Sequence, residues 1–183
     1  LVSTPLVVDG VMYFVESMNR IRAVDAASGE EIWLWDPRVV EHSDMRVGWE
    51  HNRGIGIWRD KVYQATWDGR LIAVDRATGE EVWSARIYPE GSPLYNTGAP
   101  KIFKGKVMIG SGGTEAGPNR GYVVAHDAET GAHIWADRYD GRLEDVFDLQ
   151  DRITEAVVAA IAPGIRQAEI EQADFTLLGR DQS

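Results

Sequence analysis

The 183-residue sequence contains no cysteine, which excludes disulfide bonds, thiol catalysis and cysteine-ligated zinc or iron–sulfur sites. It also lacks a long apolar run. The longest one, from Ala156 to Ala162, is far shorter than the roughly 20 residues that a helix needs to cross a bilayer. We therefore expect no membrane span.

Positive charge is scarce as well, with 19 Lys and Arg against 29 Asp and Glu and a formal net charge of −10. A surface that binds nucleic acid needs clustered positive charge, whereas here the Lys and Arg residues are scattered singly. The sequence thus predicts no nucleic-acid partner. The chain starts at Leu1 with no signal peptide, so we expect a processed product or a piece of a longer protein.

One segment with fixed positions for Asp, Gly and Trp occurs three times, as Ala23–Trp33, Ala73–Trp83 and Ala125–Trp135. The copies start 50 and 52 residues apart, which is typical of a four-stranded propeller blade with its connector. The repeat therefore predicts successive blades of one β-propeller.

Each copy closes a run of four short segments rich in β-branched and aromatic residues, with Gly or Asp at the bends. We expect strands at about 4–8, 11–16, 20–25 and 31–36, at 54–58, 61–66, 70–75 and 81–86, and at 99–103, 106–111, 121–127 and 133–138. The predicted fold is all-β, a partial propeller of three four-stranded blades at about 1–36, 53–86 and 97–138.

The repeated residues have structural roles that need no catalytic function. The Asp and the Ser or Thr three residues later can close the turn between the third and fourth strands by accepting backbone N–H groups. The glycine that follows supplies a positive φ, and the Trp indole can pack between neighbouring blades.

The period disappears after Trp135, and a helical pattern follows. From Leu143 the apolar residues recur at helical spacing, and Pro163-Gly164 provides a stop. A second short helix is expected at about 165–178. We thus predict a short C-terminal helical hairpin in a tail at residues 139–183.

Three residues of different chemistry are expected at one face of the propeller. Arg53 and Thr97 each precede the inner strand of a blade, and Glu115 lies in an enlarged glycine-rich loop, Ser111–Gly121. A lone Glu in such a loop is more often solvated than bound to a ligand. However, an Arg, a hydroxyl and a Glu at one end of the axis suit a small anionic ligand with a bound hard cation.

The motifs around these residues carry a family resemblance. Asn52-Arg-Gly54, Thr97-Gly-Ala-Pro100 and Gly110-Ser-Gly-Gly-Thr-Glu115, in this order, resemble the N-terminal blades of pyrroloquinoline-quinone-dependent alcohol dehydrogenases. The resemblance covers about residues 1–135. It implies a quinoprotein-type β-propeller that oxidises primary alcohols with pyrroloquinoline quinone and calcium, in the periplasm.

The resemblance also implies roles for particular residues. Arg53 and Thr97 would bond polar groups of the quinone, and Glu115 would be a calcium ligand. The backbone cradle would be formed by Gly112, Gly113 and Thr114. An alcohol substrate and an electron acceptor are the implied partners of the full-length protein.

The chain departs from the family pattern in two ways. Where relatives place a vicinal cysteine pair before Asn-Arg-Gly, this sequence has Val47–His51, so either Trp49 or His51 takes its place or that face is uncovered. The later blades, which supply the catalytic aspartate, are absent. We therefore expect one rim of the pocket, no catalytic residue, no activity of the chain alone, and self-association through open blade edges.

Two rival interpretations stay open. The tail, from about residue 127 to 173, resembles a linker of class III adenylate/guanylate cyclases with TolB-like and tetratricopeptide regions, which would make the chain a regulatory segment of a signalling protein. Alternatively, the blades are a non-catalytic propeller scaffold for protein contacts. Arg53, Thr97 and Glu115 favour the enzyme, because a scaffold has no need of them.

Overall fold

Three four-stranded antiparallel sheets make up the part of the chain that the computed structural model describes, residues 3–42, 52–89, 92, 94–113 and 121–138. In every sheet the strands pair in chain order, each with the next. The strand segments therefore form three consecutive meanders, as the repeat predicts. The expected helical hairpin at 139–183 lies outside the described residues.

The twelve strands match the predicted ones to within two residues at each end. Blade 1 contains β1 (Leu6–Val8), β2 (Val11–Val15), β3 (Ile21–Asp25) and β4 (Glu31–Trp35). Blade 2 contains β5 (Gly56–Trp58), β6 (Lys61–Ala65), β7 (Arg70–Asp75) and β8 (Glu81–Arg86). Blade 3 contains β9 (Lys101–Phe103), β10 (Lys106–Gly110), β11 (Tyr122–Asp127) and β12 (His133–Arg138).

Helical structure in the described residues is limited to two short segments. A 3-10 turn covers Ser17–Asn19 between β2 and β3, and the helix α1 covers Val39–His42 after β4. No helix among the described residues is long and apolar enough to span a membrane.

The turn between the third and fourth strands has the same construction in every blade. In blade 2 the Asp75 carboxylate accepts the backbone N–H groups of Ala77 and Thr78 at 2.9 and 2.8 Å, and the Thr78 hydroxyl at 3.1 Å. Asp25 and Asp127 make the corresponding bonds in the other blades. The predicted role of the repeated Asp is thus confirmed.

The repeated Trp joins each blade to the next. The Trp33 indole lies against Gly79 and donates its Nε1–H to the carbonyl oxygen of Arg76 at 3.1 Å. Trp83 lies in the same way against Gly131 and donates to the carbonyl oxygen of Ala128 at 3.0 Å. The predicted packing of these indoles between neighbouring blades is confirmed for both.

Two apolar cores hold the three blades together. Blade 2 contributes to both cores, because alternate residues of a strand point to opposite faces of the sheet. Tyr63 and Leu71 face blade 3, whereas Val62 and Ile72 face blade 1, and all four are fully buried. The two cores therefore fix the three blades, and with them the inner strands β1, β5 and β9, next to one another.

Ion pairs join the blades at the end where the first and second strands of each blade connect. Lys61 donates to Glu129 of blade 3 at 2.6 Å, and this hydrogen bond is the main reason that the pKa of Lys61 is raised. Arg76 donates to Asp9 of blade 1 at 2.8 Å. These contacts fasten the end of the stack opposite to Arg53 and Thr97.

Candidate functional site

The backbone segments that lead into the inner strands lie side by side at one end of the blades. The Arg53 N–H donates to the carbonyl oxygen of Thr97 at 2.8 Å, and the Arg53 carbonyl oxygen accepts the Thr4 N–H at 3.2 Å. A Cβ on Gly54 would lie 3.4 Å from Cβ of Ala99, so the chains approach closely here. Blade packing thus brings Arg53 and Thr97 together.

A two-residue bridge ties the glycine-rich loop to the segment that carries Thr97. The Gly112 N–H donates to the Tyr95 carbonyl oxygen at 2.9 Å, and the Tyr95 N–H donates back at 3.3 Å. Gly113 follows with a φ of 93°, in the left-handed region that favours glycine. Gly112 and Gly113 therefore lie just after β10, beside the segment that leads to Thr97.

The remaining predicted site residues lie outside the described residues. These are Thr114 and Glu115 in the loop, and Trp49 and His51 before Asn52. The structure therefore brings Arg53, Thr97, Gly112 and Gly113 together, while the convergence of Glu115 with them stays a prediction. Among the described residues no group of three or more His, Asp and Glu could hold a metal ion.

The Arg53 side chain differs from the other arginines. It is exposed, and no hydrogen bond or ion pair joins its guanidinium to another described residue, although its backbone N–H and C=O are both bonded. Every other arginine whose side chain is described bonds a carboxylate or a carbonyl oxygen. They are Arg20, Arg22, Arg38, Arg59, Arg70, Arg76 and Arg86.

The loop between β6 and β7 lies at the same end of blade 2, and its charged side chains neutralise one another. Asp68 is buried and accepts Nε of Arg70 at 2.8 Å, and its side chain also contacts the Thr66 hydroxyl. Arg70 donates further to the carbonyl oxygen of Pro37 at 2.6 Å. These groups satisfy one another, whereas the Arg53 guanidinium has no partner within the part of the chain that the structure describes.

Two buried asparagines next to the site were not singled out from the sequence. Asn52 is 3% exposed and Asn96 is fully buried, and each directly precedes a predicted site residue. The signal was present, because Asn-x-Gly occurs at both places, as Asn52-Arg-Gly54 and Asn96-Thr-Gly98. The predicted site contained the middle residues of these two motifs, Arg53 and Thr97, but not the asparagines before them.

Comparison with known proteins places these features in a family. The family model described as "PQQ: Glucose/ethanol/alcohol dehydrogenase, beta-propeller domain" matches residues 1–151. The chain therefore belongs to the pyrroloquinoline-quinone-dependent dehydrogenases with a β-propeller domain.

Individual relatives agree with this assignment. Quinohemoprotein alcohol dehydrogenase ADH IIB of Pseudomonas putida is 48% identical over 136 residues, covering 74% of this chain and 20% of the relative. The crystal structure of quinohemoprotein alcohol dehydrogenase from Comamonas testosteroni matches with a TM-score of 0.68 and 45% identity, over 75% of this chain and 21% of that one. A europium-containing methanol dehydrogenase matches with a TM-score of 0.63 and 32% identity, over 78% of this chain and 25% of that one.

The chain spans about a fifth of the length of the curated relatives that it matches. The family match continues to residue 151, well past residue 127, where the expected resemblance to a cyclase linker begins. Nothing in these comparisons supports that resemblance or the interpretation of the chain as a segment of a cyclase-type protein.

Proposed function

We propose that this chain forms one rim of the cofactor pocket of a quinoprotein that oxidises primary alcohols with pyrroloquinoline quinone and calcium. The observation that carries the proposal is Arg53, whose exposed guanidinium pairs with no described residue while its backbone N–H and C=O are both bonded. An arginine with a fixed backbone and a free guanidinium relative to the described residues is suited to bind an anionic ligand. Family membership names that ligand as the quinone.

The residues at this end fit such a group. Arg53 supplies a charged donor and Thr97 a hydroxyl, and a backbone hydrogen bond of 2.8 Å joins their segments. Gly112 is tied to Tyr95 through both of its backbone groups. Gly113 follows with a φ of 93° and presents no side chain that would keep a ligand from the backbone. We propose that Arg53 and Thr97 bond polar groups of the quinone, and that the cradle is completed by Gly112, Gly113 and Thr114.

The metal role falls on Glu115, which we propose as a ligand of calcium. A carboxylate oxygen is the ligand that hard cations prefer. The name of the europium-containing methanol dehydrogenase says that this relative contains europium, so the proposal is for a hard cation with oxygen ligands. When bound, the quinone would supply the acceptor for the hydride equivalent of the alcohol, and the cation would supply polarisation of a quinone carbonyl.

The described residues contribute binding and orientation rather than proton transfer. Arg53 would hold the cofactor at a defined position, because its backbone cannot shift without breaking the bonds to Thr97 and Thr4. We propose no catalytic residue in this chain. The whole protein would act on a small alcohol, pass electrons to an acceptor and reside in the periplasm. Without further blades we expect the chain to be inactive and to self-associate through blade edges.

The domain organisation is part of the same proposal. Three blades at about 1–36, 53–86 and 97–138 would form the cofactor-binding part, and residues 139–183 would form a separate helical tail. The family match to residue 151 means that the first residues of this tail still follow the family pattern.

Titration of the purified chain with pyrroloquinoline quinone in the presence of calcium tests the proposal, with quenching of tryptophan fluorescence as the readout. We expect saturable binding that weakens about tenfold or more in Arg53→Gln, because a charge-assisted hydrogen bond is lost. Arg59→Gln is the matched control, since Arg59 is also an exposed arginine of blade 2 but lies at the opposite end of β5.

Equal weakening in the two variants would mean that net charge alone attracts the quinone. Binding that neither variant affects would remove Arg53 from the site. No saturable binding to the unsubstituted chain would mean that it is better described as a propeller scaffold without a cofactor rim.

A further inference from the structure

The Asn52 side chain bonds two backbone groups, one directly after Arg53 and one at the end of β6. Its Nδ2 donates to the carbonyl oxygen of Ala65, the last residue of β6, at 2.7 Å. Its Oδ1 accepts the N–H of Gly54 at 2.9 Å. One side chain thus fastens the turn that contains Arg53 to the second strand of the same blade.

The bonds of Asn52 complete the restraint on Arg53. The Arg53 N–H and C=O are bonded to blades 3 and 1, through Thr97 and Thr4, while Asn52 holds the turn to blade 2. The side chain of Arg53 has no bond of its own to the described residues, so only these backbone contacts decide where it starts. Asn52 is buried, and both polar atoms of its side chain are bonded to backbone groups of Ala65 and Gly54.

We propose that Asn52 is a positioning residue that presents the Arg53 guanidinium to the cofactor. This inference rests on the proposed function for the identity of the ligand, but its structural part does not. Loss of the Asn52 side chain frees the Gly54 N–H and leaves the Ala65 carbonyl oxygen without this donor. The turn then samples other conformations, and the guanidinium is no longer held in place.

Asn96 has a related position before Thr97 but a different set of bonds. Its Nδ2 donates to the Tyr88 hydroxyl at 3.1 Å, and its Oδ1 has no hydrogen-bond partner among the described residues. It therefore anchors a side chain rather than the turn around the site residue. This difference makes Asn52 the stronger positioning candidate.

Amide hydrogen exchange of the full chain without cofactor tests the structural part. In Asn52→Ala we expect exchange at the Arg53 and Gly54 amides to accelerate about tenfold, the effect of losing one intramolecular hydrogen bond. Ser3→Ala is the matched control, because the buried Ser3 hydroxyl accepts the N–H of Val15, the last residue of β2. It should leave exchange at Arg53 and Gly54 unchanged.

Quinone binding in a double-mutant cycle tests the functional part. We expect Asn52→Ala to weaken binding about as much as Arg53→Gln, and to add no further loss when Arg53 is already Gln. Asn52→Ser keeps a hydroxyl that can accept the Gly54 N–H, so it should restore part of the affinity. A purely structural role would weaken binding equally in both Arg53 backgrounds.

The outcomes separate this inference from the proposed function. Unchanged exchange in Asn52→Ala overturns the inference whether or not the quinone binds. Additive losses in the cycle, or the same loss in Ser3→Ala, also overturn it. Accelerated exchange in a chain that binds no quinone would support the local role of Asn52 and contradict the proposed function instead.

Discussion

The glycines of the three repeated turns decide how closely one blade approaches the next. Gly29, Gly79 and Gly131 have φ values of 76°, 78° and 71°. A Cβ on Gly79 would lie 2.8 Å from the Trp33 ring, and one on Gly131 would lie 2.7 Å from the Trp83 ring. A Cβ on Gly29 would meet no other residue within 4 Å of the described structure. Gly79 and Gly131 thus also leave room for the Trp ring of the preceding blade, whereas Gly29 does not.

This difference predicts unequal costs for the same substitution. Gly29→Ala should destabilise the chain by about 1 kcal/mol, because only the left-handed backbone conformation opposes it. Gly79→Ala and Gly131→Ala should cost about 1–3 kcal/mol more, because the new methyl group overlaps an indole ring. Urea unfolding of the three variants measures the difference. Equal costs would show that the Trp rings do not rest on these glycines.

Burial of Tyr63 predicts a change of stability at alkaline pH. Desolvation raises its pKa from 10 to about 12, and its hydroxyl donates to the carbonyl oxygen of Ala128 at 3.0 Å. Below pH 10 the phenol is neutral in both the folded and the unfolded chain, so its stabilisation is complete. Between pH 10 and 12 it ionises mainly in the unfolded chain, so stability falls.

Tyr63→Phe isolates this contribution. The free energy of unfolding should decline less steeply between pH 10 and 12 in Tyr63→Phe than in the unsubstituted chain, as measured by urea titration at each pH. Parallel declines would mean that the Tyr63 phenol ionises equally easily in the folded state.

At the scale of elements, the sequence predicted every strand of the blades because the same local pattern occurs three times. The Asp, Gly and Trp of the repeat each have a local or nearest-blade contact, so one aligned segment was enough to predict their roles. In each sheet every strand pairs with the next one along the chain, so the predicted strand order is confirmed.

The parts of the site that the sequence did not predict depend on contacts between distant segments. The Tyr95–Gly112 bridge joins residues that are separated by β9 and β10, and no periodicity signals it. The hydrogen bond from Asn52 to Ala65 likewise joins two segments that are separated along the chain, by β5 and most of β6. The roles assigned to Arg53, Thr97, Gly112 and Gly113 rest on family motifs, and remain predictions until a ligand is bound.

The contact of Trp83 with blade 3 predicts that Trp83→Phe and Trp135→Phe lower the stability of the chain by different amounts. Trp83→Phe should destabilise the chain by about 1 kcal/mol or more, because the indole N–H bond to Ala128 is lost. Trp135→Phe is the control, since its indole N–H donates to no described residue and no described blade follows. Thermal or urea unfolding measures both. An equal cost would mean that the hydrogen bond of Trp83 contributes nothing.

At the scale of the whole molecule, a chain that covers about a fifth of its relatives raises the question of how much function it retains. The described residues supply donors for a ligand but no group that we assign as a general base. Supplied with calcium, pyrroloquinoline quinone, a primary alcohol and an artificial electron acceptor, the chain should show no turnover above that of the free cofactor. Turnover that Glu115→Ala abolishes would show that three blades suffice.

The central claim is that this chain carries a cofactor rim at the end of the blades marked by Arg53 and Thr97. A crystal structure of the chain with pyrroloquinoline quinone and calcium tests it most directly. We predict ligand density within hydrogen-bonding distance of the Arg53 guanidinium and the Thr97 hydroxyl, with the glycines 112 and 113 alongside. A quinone bound at the opposite end, near the ion pairs of Lys61 and Glu129, would contradict the account.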